Sequence, residues 1–455
     1  LEYGRELASR ASSSKEIEGL VRALDSRFIE AKPGGDSMKD PDVLPSGFNI
    51  LQFNPNNIPS MAAFERGAKS AEDVISQYRE ATGSFPRRAA LVLWGLETSR
   101  TQGMTVGQIC GYLGIRMVRP SGEFHDRFQV IPLEELGRPR VDVTVSMCGF
   151  FRDMFPNLVS GLDSLFRMVA TLDEPPDMNP VPANNARNRG MLSALGYSGD
   201  ELDDLAGCRL FGPRDGEYGT SVTDAVGNST RDDEDELGTN FEHCLRYAYT
   251  SKARGLDAGD LLGFNHSDVD VVSQVRDSSD RELIDLDHYY EFLGGLSKAV
   301  EIARGGNKAS VYVVDGSGPT VRTTGVRRSI ERGLRTRLLN RKWIDGLLSV
   351  RYHGAQKIND RFENVLGLAA TVGEVDTGVF DDMFRCYVED EEMRRRVQEN
   401  NNWAYMSMLD RLSEADDRGY WDATDEERER LREAYEESEE IAELESDRTD
   451  RGEGD

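Results

Sequence analysis

Ala89-Ala90-Leu91-Val92-Leu93-Trp94 is an apolar run of strand length that breaks at once into the polar, sharply turned Gly95-Leu96-Glu97-Thr98-Ser99-Arg100-Thr101-Gln102-Gly103. A second run, Val141-Asp142-Val143-Thr144-Val145-Ser146-Met147, ends in the same manner at Gly149-Phe150-Phe151-Arg152-Asp153. Two strand-like runs, each followed by a polar turn and then a helical pattern, predict a parallel sheet with crossover helices. The expected fold class is α/β, with parallel-rich sheets followed by a mostly helical C-terminal region. Ligands of such sheets bind in the crevice at the shared carboxyl edge of the strands. Glu97, Arg100, Arg152 and Asp153 are therefore expected to converge from separate turns. Taken singly, the same side chains read equally well as helix caps and surface ion pairs.

Outward from these runs the chain divides by composition. Residues 1–85 form a loop-rich connector with helices, the end of an upstream domain. Within it, Ile17, Leu20, Val21, Leu24 and Phe28 have helical spacing, Pro41, Pro45, Gly47, Pro55 and Pro59 mark a long loop, and 61–82 is helical. Residues 86–175 read as a Rossmann-like α/β domain, with helix at 101–113, strands at 116–118 and 127–133, and an apolar stripe Leu158, Val159, Leu162, Leu165, Phe166, Val169 that is packing. Residues 176–320 read as a second α/β domain, with a Gly-rich loop at 209–219, a helix at 237–252 and strands at 269–275 and 311–315. From Arg322 the chain is expected to be helical: a domain at 321–425, then an acidic tail at 426–455, helical at first and disordered at its end.

Charge limits the function classes. The 455 residues carry 82 acidic and 55 basic side chains, a net charge of −27, and only nine of the basic residues are Lys. Excess carboxylate with scarce Lys suits a salt-rich cytoplasm, where screening over about 3 Å at 1 M removes self-repulsion. A halophilic source is expected. Phosphate neutralisation by clustered cations is missing, so no nucleic-acid partner is expected. No apolar run approaches the roughly 20 residues that span a bilayer, so no membrane partner is expected either. Five scattered cysteines without a C-x-x-C point to a reducing, cytoplasmic setting. The chain opens on Leu1, which suggests a piece of a longer protein.

Chemistry-bearing residues are few. His125, His243, His266, His288 and His353 include no pair at metal-ligand spacing, so no tight preformed metal site is legible. His288 stands out because Glu282, Asp285, Asp287 and Glu291 surround it in sequence, raising its affinity for a proton and orienting its ring. Glu97, Glu217 and Glu291 follow glycine or aromatic turns, where poor solvation suits a carboxylate to general-base work. Arg100, Arg152, Arg187, Arg209, Arg214 and Arg281 lie in turns and suit ligand carboxylates. The chain contains no Walker A motif, and without a G-x-G-x-x-G after a strand a nicotinamide oxidoreductase is disfavoured.

Longer stretches resemble one family. Pro33-Gly34-Gly35-Asp36, Leu44-Pro45-Ser46-Gly47-Phe48-Asn49 and Ile58-Pro59-Ser60 resemble a loop of the large subunit of aerobic-type cobaltochelatase, shared with the magnesium chelatase H subunit. Ser46 and Phe48 depart from the family's usual Thr and Arg. ALVLWGLETSRTQG, IPLEELGRPRVDVTVSMCGFFRDMFPNL, RLFGPRDGEYG, DSSDRELIDLDHYYEFLGG, RLLNRKWIDGL and NNNWA resemble further motifs of that family, in its order. The resemblance implies ATP-dependent insertion of a divalent metal ion into a tetrapyrrole. The large subunit holds the macrocycle, while AAA+ ATPase and metal-site-containing partner subunits hydrolyse ATP. An upstream HG…LE motif of the family lies outside this sequence, so the chain is expected to be a C-terminal portion, inactive alone. FLGG and NRKWIDGL resemble the cobalt type, whose tetrapyrrole is hydrogenobyrinic acid a,c-diamide. His288 resembles the magnesium type, which acts on protoporphyrin IX. Co²⁺ is therefore the expected substrate metal and Mg²⁺ the alternative. The implied roles are Glu97, Glu217 or His288 as base, and His288 with Glu291 as transient metal ligands. Arg100, Arg152, Asp153, Arg209 and Arg281 would hold peripheral substituents, with Tyr218, Tyr289 and Tyr290 against the ring. A non-catalytic acidic scaffold is the alternative of another class.

Overall fold

Arg88–Leu93 is buried along its whole length between two parallel neighbours, which is why its sequence shows no polar alternation. It is β1 of an eight-stranded sheet. The other members are Asp142–Met147 (β2), Leu210–Gly212 (β3), Tyr247–Tyr249 (β4), Arg254–Asp257 (β5), Val271–Arg276 (β6), Ser310–Asp315 (β7) and Arg322–Gly325 (β8). The order across the sheet is β8-β7-β6-β1-β2-β3-β4-β5. The five strands from β7 to β3 are parallel, with Arg88 opposite Asp142 and Ala89 opposite Val271, while β8, β4 and β5 extend the two sides by antiparallel pairings. The segments 86–175 and 176–320 share this one sheet. Its parallel part has the doubly wound order: strands are added to one side of β1 and then, from β6, to the other, which places a crevice beyond the carboxyl ends of β1 and β6. The architecture is α/β, as expected.

This computed structural model describes residues 2–34, 37, 41–51, 57–118, 127–230, 233–278 and 280–450. His125, part of the Pro-rich loop and the last five residues of the tail lie outside them.

Several elements differ from the expected ones. Both polar turns are helical: Gly95–Thr101 (α2) follows β1, and Gly149–Met154 (α4) follows β2. The helix expected at 101–113 is interrupted by left-handed Gln102 and Gly103, and resumes as Met104–Leu113 (α3). Met61–Thr82 (α1) has the expected bounds, capped by Ser60 at one end and left-handed Gly83 at the other. Among the described residues, Ile115–Val118 and Arg127–Val130 pair only with each other, in a small antiparallel sheet. The helix expected to reach residue 252 stops at Leu245 and gives way to β4, and Arg322–Gly325 is strand before the helical region begins. In that region His353–Thr371 (α5) and the kinked Glu391–Asp417 (α6) pack together, and Asp425–Asp450 (α7) lies along α6. Among the described residues no helix is long and apolar enough to cross a membrane.

Candidate functional site

Four turns meet at the carboxyl edge of the sheet. β1 ends in Trp94 and Leu96, β2 in Cys148 and Phe150, β3 in the loop carrying Tyr218 and Gly219, and the connection after β6 supplies His288, Glu291 and Phe292. Together they line a cleft of about 290 Å³. Two glycines make this convergence possible. A Cβ on Gly95 would lie 2.3 Å from the Phe150 ring, and one on Gly149 would lie 2.5 Å from the Glu217 carbonyl oxygen. The turns that carry Glu97, Arg152, Glu217 and His288 thus share one side of the molecule.

The last of these turns is a π-helix, Tyr289–Gly294, a rare form that recurs at functional sites. At its start His288 is half exposed, its ring 5.2 Å from that of Trp94. Its Nδ1 lies 2.5 Å from Asp287 Oδ1. That hydrogen bond to Asp287, only partly offset by burial, raises the histidine's affinity for a proton and leaves Nε2 as the free edge of the ring. Glu291 is buried, and burial pushes its carboxyl up despite His288 and despite two donors to Oε1, the Thr220 backbone N–H at 3.2 Å and hydroxyl at 3.1 Å. Among the described residues no three His, Cys, Asp or Glu side chains stand together as a metal site. The cleft therefore offers two N/O donors, a set that can guide a divalent ion without trapping it.

Glu97 lies behind this wall, not in it. It is buried in the first turn of α2, and burial pushes its carboxyl up to about 7, with Thr101 and Thr105 offsetting part of the shift. The Thr101 hydroxyl donates to it at 2.8 Å. Arg100, its neighbour on the helix, pairs with Asp277 at 3.0 Å.

Other expected site residues have structural partners. Arg152 is buried, donating to the Pro213 carbonyl at 2.9 Å and the Arg214 carbonyl at 2.5 Å and pairing with Asp153, so it straps the Gly-rich loop and is not among the residues lining the cleft. Asp153 accepts from the Tyr218 hydroxyl at 2.7 Å, which fixes that exposed ring at the rim. Arg209 precedes β3 and so lies at the opposite edge of the sheet, bound to Asp142 at 2.9 Å. Tyr289 and Tyr290 are buried: Tyr289 packs edge-on against Trp94, and the Tyr290 hydroxyl donates to Glu363 at 3.2 Å. Neither faces the cleft. Glu217 and Arg281 are exposed, Glu217 beside the rim and Arg281 close enough to act on His288. Trp94, Phe150, Phe292 and Thr220 went unread as site residues, whereas Asp287 is one of the four carboxylates expected to orient His288. Trp94 directly follows a strand and Phe292 flanks Glu291, but Phe150 and Thr220 lie two positions from a singled-out residue, and buried packing uses the same residue types at those places.

Comparison with known proteins bears on this site. A model of the CobN/Magnesium Chelatase family matches residues 1–428. Magnesium-chelatase subunit ChlH of Oryza sativa subsp. indica is 33% identical over 436 residues, which span 94% of this chain and 30% of that protein. Aerobic cobaltochelatase subunit CobN of Pseudomonas aeruginosa is 32% identical over 413 residues, 90% of this chain and 33% of that one. Among solved structures, the catalytic subunit of cobaltochelatase from Mycobacterium tuberculosis superposes with a TM-score of 0.87 at 31% identity, over 93% of this chain and 36% of that chain. The chain spans about a third of the length of these relatives.

Proposed function

The chain belongs to the CobN/magnesium chelatase family, and from that premise we propose that it forms the tetrapyrrole-facing part of the large subunit of an ATP-dependent metal chelatase. The observation that carries the proposal is the convergence of four sequence-distant turns on one cleft that combines aromatic walls with an imidazole and a carboxylate. At about 290 Å³ the cleft lies just below the range of ordinary ligand pockets, about 300–1,000 Å³, so it takes one edge of a macrocycle. The remaining surface of the ring is left to protein outside this chain. ATP is hydrolysed by AAA+ partners, in keeping with the resemblance.

Metal insertion requires two pyrrole N–H protons to leave while a hydrated cation is stripped and delivered. His288, oriented by Asp287, offers Nε2 as first proton acceptor or as a transient ligand. Glu291 offers a poorly solvated carboxylate beside it. Glu97 is the second acceptor, reached through the wall instead of by direct contact with the ring. Tyr218 and Trp94 flank the ring at the rim and the floor.

We assign Co²⁺ and a corrin-type substrate, hydrogenobyrinic acid a,c-diamide, on the FLGG and NRKWIDGL motifs. Overall similarity does not separate the metals, since magnesium-type and cobalt-type relatives are 33% and 32% identical. The magnesium reading on protoporphyrin IX rests on His288. Titrating this chain with each tetrapyrrole while following Trp fluorescence separates binding from an inert scaffold. Saturable quenching that disappears in Trp94→Phe is expected, and its absence with both tetrapyrroles overturns the reading. Assay of the complete large subunit with its ATPase partners, Co²⁺ against Mg²⁺, then decides the metal.

A further inference from the structure

The cleft is rich in carbon and in hydrogen-bond acceptors, and short of cations. Trp94, Leu96, Phe150 and Phe292 make much of its wall, and of these Leu96 and Phe150 are exposed, so they stand at its mouth. Large apolar side chains left in solvent around a concave site mark a surface that a ligand covers. The polar groups of the lining mostly accept. The Tyr218 hydroxyl gives its proton to Asp153 at 2.7 Å and keeps only lone pairs for the cleft. Glu291 is a carboxyl group, and neutral His288, with Nδ1 turned to Asp287, presents Nε2 as an acceptor. A protonated His288 donates there, but Asp287 already pairs its charge. Among the described residues no Lys or Arg lines the cleft. The arginines that the sequence offers for acidic substituents are committed elsewhere: Arg100 to Asp277 at 3.0 Å, Arg152 to Asp153 and the Gly-rich loop, and Arg209 to Asp142. Arg281 is exposed outside the lining. A ring carboxylate placed in this cleft would meet acceptors and a second carboxyl group, and no guanidinium or ammonium. Burying it there unpaired is costly, whereas a carboxamide N–H or a hydrocarbon substituent meets what the wall offers.

We propose that the cleft receives the macrocycle by an uncharged edge, and that Leu96 and Phe150 at its mouth fix this orientation by turning acidic side chains outward. The proposal rests on reading the cleft as a tetrapyrrole site. Each candidate substrate has a pair of side chains that fits. In hydrogenobyrinic acid a,c-diamide the a and c side chains are amides, whose N–H groups find acceptors at Tyr218 and Glu291. In protoporphyrin IX two pyrrole rings carry vinyl groups where the other two carry propionates, and the vinyl groups pack on Leu96 and Phe150. Carboxylates elsewhere on the ring stay outside the cleft, where Arg281 and protein beyond this chain meet them. The orientation is therefore the same for the cobalt and the magnesium readings.

The test uses two pairs of ligands that differ at two side chains, charged in one member and uncharged in the other. One pair is hydrogenobyrinic acid and its a,c-diamide. The other is coproporphyrin III, with propionates in place of the vinyl groups, and protoporphyrin IX. Affinities are read from the Trp fluorescence of this chain and of Leu96→Arg and Phe150→Arg, both at exposed positions that accommodate a longer side chain. In the unaltered chain the uncharged member of a pair that binds is expected to bind at least about tenfold tighter, the cost of one polar group left unpaired. An arginine at the mouth should raise the affinity of the acidic member about tenfold through a charge-assisted pair and change that of the uncharged member far less. General damage to the cleft would instead weaken both members alike. Equal binding within each pair, tighter binding of the acidic member, or a ratio that neither variant alters overturns the orientation, while the quenching itself upholds the tetrapyrrole site. Absence of quenching by all four ligands overturns the site and the orientation together.

Discussion

The two edges of the parallel sheet bury carboxylates in opposite ways. At the amino edge, Asp142 is fully buried between Arg88, at 2.9 Å, and Arg209, also at 2.9 Å, and accepts from Asn184 at 2.7 Å. Burial alone would push its carboxyl up, but the two guanidinium groups outweigh that effect and hold it well below the usual range. At the carboxyl edge, Glu97 is just as buried, has neutral hydroxyl and backbone donors in place of guanidinium groups, and is pushed up to about 7. Glu291 is raised for the same reason. The low-dielectric surroundings are alike, so the difference lies in the partner. A paired carboxylate is a fixed structural charge, and an unpaired one can exchange a proton under ordinary conditions.

The contrast breaks first at Asp142. Asp142→Ala leaves two buried arginines facing each other and is expected to cost about 3–5 kcal/mol in urea unfolding. A loss below about 1 kcal/mol would make the amino edge no more committed than an exposed ion pair.

Glu97 gives the opposite sign with pH. Its folded-state pKa is raised from 4.5 to about 7, so the folded chain holds the proton more tightly than the unfolded one. Stability should be highest below the unfolded value and fall as pH rises through about 7, by about 3 kcal/mol in all. Glu97→Gln should flatten that slope. An unchanged slope in the variant would place the titrating group elsewhere.

His288→Ala, in the complete large subunit with its partners, should slow metal insertion about a hundredfold while leaving tetrapyrrole binding in place. Unaltered turnover removes His288 from the chemistry. The smallest expected effect is at Thr220→Val, which keeps the backbone donor to Glu291 and loses the hydroxyl. About 1 kcal/mol, or roughly fivefold in tetrapyrrole affinity, is expected without a change in unfolding. Comparable losses in both measurements would make Thr220 a packing residue of the loop.

Much of this was legible before any coordinates. The runs at β1, β2, β6 and β7 announced themselves because strands inside a covered parallel sheet are rich in Val, Leu and Ala with little regular polar alternation, and α1 because Ser60 and Gly83 bracket its periodic stripe. The short strands β4 and β5 carry no such signature. They exist because β3 offers an open edge, which no local pattern encodes. Likewise the polar turns after β1 and β2 read as loops, since helices of six or seven residues owe their stability to tertiary packing and not to propensity.

The sequence by itself determined the sheet class, the positions of its central strands, the family and the set of turns from which a site could be built. Local pattern and composition are enough for these, because burial on both faces, glycine in tight turns and long motifs leave marks within a few residues. Only the tertiary structure decided which side chains of those turns face the cleft. It turned Arg152 inward onto the Gly-rich loop, set Arg209 at the far edge, buried Tyr289 and Tyr290, and withheld a cation from Glu97. Whether an arginine or a carboxylate is free for chemistry depends on which opposite charge lies within a few ångströms across the fold, and that distance is not written in any one stretch of the chain.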